Sequence, residues 1–174
     1  MQGAKVDRAI RIGIMVMVAA LVYVIYAGIH ERVVAAGDDA PEFSIKADSG
    51  QTVSLPNFGG RLLVLNFWAS WCQPCIQETP SLSEFARQYA KRGVVVLGVS
   101  VDRDEKAYSA FLQRFRPAFL TAREFKTHED YGTFMYPETY LIDSHGKVLR
   151  KYIEPVNWMS EDSLSYVNSL LAGL

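Results

Sequence analysis

From Ile12 to Ile29 the chain reads IGIMVMVAALVYVIYAGI, apolar throughout and free of charge and proline. The run has about the length a helix needs to cross a hydrocarbon core, and it lacks the polar stripe of a helix packed against a soluble core. A transmembrane helix is predicted over 12–29, after a short N-terminus, 1–11. Lys5, Arg8 and Arg11 precede it, whereas Arg32 stands behind it beside Glu31. That bias places the N-terminus in the cytoplasm and the rest of the chain outside, as a single-pass protein of the cell membrane. The small residues of VVAAGDD (33–39) would suit a signal peptidase. The apolar run is longer than a signal core and is followed by charged residues, which favours an uncleaved anchor. Residues 30–38 then read as a linker and 39–174 as one exported domain.

Past Ala40-Pro41 the patterning changes. Phe43 and Ile45 alternate with polar neighbours, Asp48-Ser49-Gly50 gives a turn, and Val53 and Leu55 alternate again, which predicts a β-hairpin. RLLVLNFWA (61–69) and VVVLGVSVD (94–102) are short, nearly continuous apolar runs of the kind found in strands buried on both faces. Between them Leu82, Phe85, Ala86 and Tyr89 fall at i, i+3, i+4 and i+7, one face of a helix, with Gly93 where that helix should end. Strand, helix, strand implies a parallel pair. A second helix is predicted from Lys106 to Phe115, before Pro117. TYLID (139–143) and VLRKYI (148–153) form an antiparallel pair turning at Gly146. A last amphipathic helix runs from Ser160 to Leu171. The fold class is α/β: a mixed sheet with helices on both faces.

The chain has 174 residues, 49% of them apolar, enough for one ordinary core after the N-terminal run. Eighteen Lys and Arg against nineteen Asp and Glu leave a formal charge of -1 and no basic patch, which argues against a nucleic-acid partner. The two cysteines, Cys72 and Cys75, cannot complete a zinc set, and His30, His128 and His145 lack ligand spacing, so no metal site is expected. A disulfide between positions three apart closes too small a loop to restrain the unfolded chain much. A purely structural bridge is poorly motivated.

The Cys-x-x-Cys follows the first buried strand and opens the first helix. That puts Cys72 at a helix N-terminus, where free N–H groups and the macrodipole favour a thiolate. Cys75, on the same face, can reach it to form a disulfide and points further into the protein. Cys72 is then the attacking sulfur and Cys75 the resolving one. Pro74 is tolerated in a first turn and stiffens the loop between the sulfurs, while Pro80 should bend the helix around the sheet.

WCQPC after LNFWAS resembles the active site of the thioredoxin superfamily. More narrowly, the chain is similar to the membrane-anchored, extracytoplasmic thiol-disulfide oxidoreductases of the TlpA, ResA and CcmG (DsbE) group. The likeness runs from APEF at Ala40 through the Gly-Gly before the first buried strand to WCQPC, YPETYLID and the last helix. It implies a thioredoxin-like fold with an N-terminal hairpin extension, preceded by the membrane helix, and a redox-active Cys72–Cys75 pair needing no other cofactor. It also implies that Tyr136-Pro137 is a cis peptide beside the sulfurs, offering backbone groups of residue 136 to a partner segment. Where cytoplasmic thioredoxins carry a buried aspartate this chain has Asn66. Glu78, three residues after Cys75, stands as its substitute, a carboxylate whose pKa a partly apolar pocket would raise so that it could move a proton. Trp71 flanks the partner surface, Trp68 packs in the core, Trp158 is assigned to packing and His145 to a turn. Glu138 matches the Pro-Glu-Thr of CcmG-like members, and the dipeptide between the cysteines resembles that of ResA.

The function this implies is the reduction of disulfides in extracytoplasmic protein partners. Apocytochrome c, or a protein that delivers haem to it, is the implied substrate, and a membrane thiol transporter of the CcdA or DsbD kind the electron donor. Three other readings compete. A copper(I) metallochaperone of Sco type would use both thiolates, with His128 as the available third ligand. A thiol peroxidase would need a proline before the reactive cysteine that FWASWC lacks. A strong oxidase would use the same motif at the opposite poise.

Overall fold

A computed structural model describes residues 2–29 and 33–174, apart from the side chains of 2–7, 9 and 27–29. The chain divides into two compact units, 1–32 and 33–174.

In the first unit, α1 is a helix over Gln2–Ile29. Its described apolar side chains, from Ile10 to Tyr26, are exposed. Over the described residues alone, no helix is long and apolar enough to cross a membrane. The side chains of α1 are described without a break over 10–26, and the span predicted over 12–29 runs on past them. Residues 30–32 of the predicted linker lie outside the described residues.

The second unit begins earlier than the predicted boundary at 39. Val34 is buried in the core and its N–H donates to the Tyr131 carbonyl at 3.1 Å, while Gly37 N–H donates to Val148 O at 2.8 Å. Residues 33–38 are therefore part of the folded unit, because Val34 supplies an apolar anchor among the small and polar residues around it.

The hairpin forms as read, with β1 (Ser44–Lys46) antiparallel to β2 (Thr52–Ser54). The chain continues through β3 (Leu62–Trp68), α2 (Gln73–Tyr89), β4 (Val94–Ser100), α3 (Glu105–Phe115), β5 (Leu120–Arg123), α4 (Thr127–Asp130), β6 (Glu138–Asp143), β7 (Val148–Tyr152) and α5 (Glu161–Gly173). Among the described residues the main sheet has the order β5-β4-β3-β6-β7, with β3, β4 and β5 parallel and β6 and β7 antiparallel to their neighbours. The unpredicted strand is β5: LTAR is only four residues long, too short to carry a clear period-2 signal. Helix α2 stops at Tyr89, and a single 3-10 turn, Ala90–Arg92, bridges to Gly93 at φ +81°.

Every residue of β3 is buried, as a strand covered on both faces must be. Alternate residues serve two cores. Leu62 and Val64 join Leu82, Phe85, Ala86 and Tyr89 of α2 and Val167 and Leu171 of α5. Leu63, Leu65 and Phe67 join the hairpin residues Phe43, Ile45 and Val53, with Tyr131 and Tyr140. Each large apolar side chain so buried contributes about 1.5–3 kcal/mol. The two layers pin β3 from both sides, and so fix where its C-terminal end, the start of the site, must lie.

The entry to β3 is tight. A Cβ added at Gly60 would stand 2.7 Å from Gly93 O and 2.9 Å from Val95 Cγ2. The Gly93 carbonyl also accepts from Arg61 and Leu62 N–H groups, so it cannot withdraw freely. Gly60→Ala should cost about 1–3 kcal/mol in a urea unfolding curve; an unchanged midpoint would mean that this junction is slack.

Candidate active site

The site is built at the end of β3. Beyond Trp68 the chain turns through Ala69–Trp71, and the turn is fastened by Asp102, which follows β4 and is 1% exposed. Ser70 donates to its carboxylate twice, from N–H and from Oγ, both at 2.8 Å, and Ser100 Oγ donates at 2.7 Å. Cys72 N–H closes the turn on Ala69 O at 3.2 Å. Cys72 then serves as the N-cap of α2, its Sγ accepting from Cys75 N–H at 3.2 Å, and Pro74 occupies the first helical turn as expected. Cys72 and Cys75 are joined as a disulfide, with Cα atoms 5.2 Å apart. Both are buried, at 5% and 2% exposure, against Trp68, Ala69, Tyr108 and Phe111. Trp68 thus packs as expected, in the cluster that holds the sulfurs, its ring centroid 4.4 Å from that of Phe111.

Tyr136-Pro137 is a cis peptide. The Tyr136 carbonyl oxygen stands 3.4 Å from Cys72 Sγ, within reach of a thiol proton once the disulfide is reduced. Trp71, 68% exposed, meets the Tyr136 ring edge-on at 6.0 Å between centroids. These two aromatic residues frame Cys72. Between them and the stretch after β5 lies a cleft of about 550 Å³. His128, the residue weighed as a copper ligand, lines it, its ring 6.2 Å from that of Tyr136.

Glu78 is the buried carboxylate of α2, 4% exposed. Its Oε1 accepts from Trp158 Nε1 at 2.7 Å and from Val156 N–H at 3.2 Å, and its Oε2 from Asn66 Nδ2 at 3.5 Å. Asn66 in turn donates to Thr139 Oγ1 at 2.8 Å. Burial pushes the Glu78 pKa up to about 7, and the hydrogen bonds from Trp158, Val156 and Asn66 only partly offset that. No cation faces it among the described residues that set this pKa. A cleft of about 400 Å³ between α2 and residues 155–157, lined by Gln77, Glu78, Pro80, Ser81 and Val156, borders the carboxylate. The assignment of Trp158 to packing was incomplete. It is wholly buried among α2 and α5, yet its indole N–H is the shortest hydrogen bond Glu78 receives.

Glu138 belongs to the other face of the sheet. It pairs in register with Phe67 rather than Asn66, and it is hydrogen-bonded by the Thr133 and Tyr140 hydroxyls and paired with Lys151 Nζ at 3.2 Å. It follows Pro137 directly and ties the end of that segment into the core. Asp102 is the residue of the site that the sequence does not single out, and the part of Trp158 beyond packing is likewise unmarked there. Each acts across a long sequence separation, 32 residues from Ser70 and 80 from Glu78, with no local pattern to mark it.

The arrangement is that of thioredoxin-like proteins: a dithiol at a helix start, after a central parallel strand, beside a cis proline. The chain belongs to the AhpC/TSA family, which it matches over residues 36–151. It is 34% identical to the thiol-disulfide oxidoreductase ResA of Geobacillus thermodenitrificans over 161 residues, 90% of this chain and 91% of that one. The Bacillus subtilis ResA is 30% identical over 146 residues, 81% of this chain and 82% of that one. Among solved structures, one assigned as the thiol:disulfide interchange protein DsbE of Chlorobium tepidum superposes with a TM-score of 0.70 at 31% identity, over 78% of this chain and 97% of that one.

Two outcomes test this geometry. The folded pKa of Glu78 is raised from 4.5 to about 7, so the folded state holds a proton that the unfolded state releases as pH rises through that window. The cost of ionising it in the fold is therefore absent below about pH 4.5 and reaches about 3 kcal/mol above pH 7. Glu78→Gln should gain stability over wild type as pH is raised from 5 to 8, read by denaturant unfolding at each pH; a gap that does not change with pH would refute the raised pKa. Asp102→Ala leaves the Ser70 and Ser100 donors unpaired and should cost about 2–4 kcal/mol, while Asp102→Asn, whose single amide oxygen can still accept from Ser70 N–H and Ser100 Oγ at the Oδ2 position, should cost less.

Proposed function

We propose that the protein is a membrane-tethered thiol-disulfide oxidoreductase that reduces disulfides in extracytoplasmic protein partners. The observation that carries this reading is the Cys72–Cys75 disulfide capping α2, next to an exposed aromatic frame that a partner can reach. In the reduced protein, the Cys72 thiolate is stabilised by the helix N-terminus and by the Cys75 N–H. It attacks one sulfur of a partner disulfide; a Cys72–partner bond forms and the other partner sulfur leaves as a thiolate. Cys75 gives up its proton and attacks Cys72 Sγ, which restores the internal disulfide and expels the partner's second thiolate. Two electrons pass to the partner, whose thiolates take protons from solvent.

Glu78 is the acceptor for the Cys75 proton. It lies one helical turn beyond Cys75, and with a pKa of about 7 it is divided between both forms near neutral pH, which suits a group that must accept and release a proton in each cycle. The cleft lined by Gln77 and Val156 offers that proton a route to water. Trp71, Pro74, Tyr136 and Pro137 shape the surface on which the partner sulfur is presented.

The uncharged run over 12–29 is the anchor of this reading, with Lys5, Arg8 and Arg11 holding the N-terminus in the cytoplasm and the dithiol outside. Each turnover leaves the protein oxidised, so a membrane thiol transporter of the CcdA or DsbD kind must return two electrons. The resemblance to the ResA and CcmG group supports apocytochrome c, or a haem-delivery protein, as the substrate.

Cys75→Ser should accumulate as a mixed disulfide through Cys72, and the captured protein identifies the substrate directly. Deletion of the gene should remove c-type cytochromes, with recovery on addition of a thiol reductant; normal cytochromes in the deletion strain would point to other substrates. Glu78→Gln should raise the apparent pKa of the Cys75 thiol in an alkylation pH profile, and an unchanged profile would remove Glu78 from the proton path.

A further inference from the structure

The cleft of about 550 Å³ beside Cys72 is not used by the exchange chemistry. Trp71 and Tyr136 belong to both: one precedes Cys72 in the chain, and the carbonyl of the other faces its Sγ at 3.4 Å. The rest of the lining comes from Val101 and Arg103 after β4, Arg123 at the end of β5, and the stretch from Phe125 to Glu129. Its charges are two arginines against one carboxylate, Glu129. Arg123 is held in place, its guanidinium 5.7 Å from the Phe125 ring centroid and 3.3 Å from Glu105. Arg103 is exposed and makes no ion pair among the described residues.

An unpaired guanidinium beside aromatic walls has a defined preference. It presents a planar fork of donors that matches a carboxylate. A partner caught by its sulfur at Cys72 is extended on either side of that sulfur, at about 3.3 Å per residue. Because the cleft shares Trp71 and Tyr136 with the surroundings of Cys72, side chains a few residues from that sulfur are within its reach.

We infer that the cleft is a specificity subsite that favours partner segments with an aspartate or glutamate within a few residues of the cysteine, with Arg103 pairing to that carboxylate. This rests on the exchange reading above and adds the chemistry of the segment exchanged. Glu129, in the same lining, works against this preference, so the cleft favours a carboxylate only through the excess of its two arginines over that one acid. Arg103 is thus a selector of partner sequence rather than a participant in sulfur chemistry, while Arg123 is already paired with Glu105.

The test uses the full-length chain in its reduced form and four disulfides. Three are peptides with one cysteine blocked by 2-mercaptoethanol, identical except for Glu, Gln or Lys at the two positions on each side; the fourth is the small neutral bis(2-hydroxyethyl) disulfide. Each peptide rate is divided by the same protein's rate with the neutral disulfide. The Glu peptide should react about 10-fold faster than the Lys peptide at low salt, and the ratio should fall towards one in 0.5 M salt. Arg103→Gln should remove most of the preference and Arg103→Glu should bring the ratio to one or below. A ratio near one in the wild type, or one that survives both substitutions, would overturn the subsite while leaving the oxidoreductase reading intact. No exchange with the neutral disulfide would overturn that reading and the subsite with it.

Discussion

The point at which β3 ends and α2 begins governs the rest of the site. A strand covered on both faces cannot shift along its axis without exposing Leu62 to Phe67, so the position of its last residue is settled by the two cores. The helix must start within a few residues of it, and the carboxylate of Asp102 fastens the intervening turn at Ser70. Cys72 is delivered to the helix N-terminus by that geometry. The preference of the N-terminus for negative charge then does the chemical work, by favouring the thiolate.

Besides Asp102, two carboxylates near this junction, Glu78 and Glu138, are buried on opposite faces of the sheet, and their surroundings set them apart. Glu138 meets Lys151 and two hydroxyls, which makes it a tie for the segment after Pro137. Glu78 meets an indole, an amide and a backbone N–H but, among the described residues, no cation, so burial dominates and its pKa rises to about 7. The cost to the fold of keeping such a group is the kind of local concession expected where a residue is retained for chemistry. That Glu78 also borders a cleft separates it further from a carboxylate that merely supports the fold.

Much of this was legible in the sequence, and what was not has physical reasons. The unbroken apolar runs of β3 and β4, the four-residue face of α2 and the turn at Gly146 carry strong periodic signals, and each element formed within a few residues of its reading. Cys72, Cys75 and Tyr136-Pro137 stand together because strand ends gather at one edge of an α/β sheet. By contrast, β5 is too short to declare itself. Val34 looked like linker because a single apolar residue has no period. Asp102 and Trp158 serve partners far away in the chain, and a hydrogen bond between distant residues leaves no trace in local spacing. Glu78 was recognised by position, but its lack of a counter-charge could be read only from the folded structure.

The most direct measurement is the equilibrium reduction potential of the Cys72–Cys75 pair in the full-length chain, against glutathione or thioredoxin standards. A disulfide reductant should give about -220 mV or lower. A value near -120 mV would make the protein an oxidant and contradict the direction of exchange, and a pair that does not equilibrate with either standard would contradict thiol exchange itself.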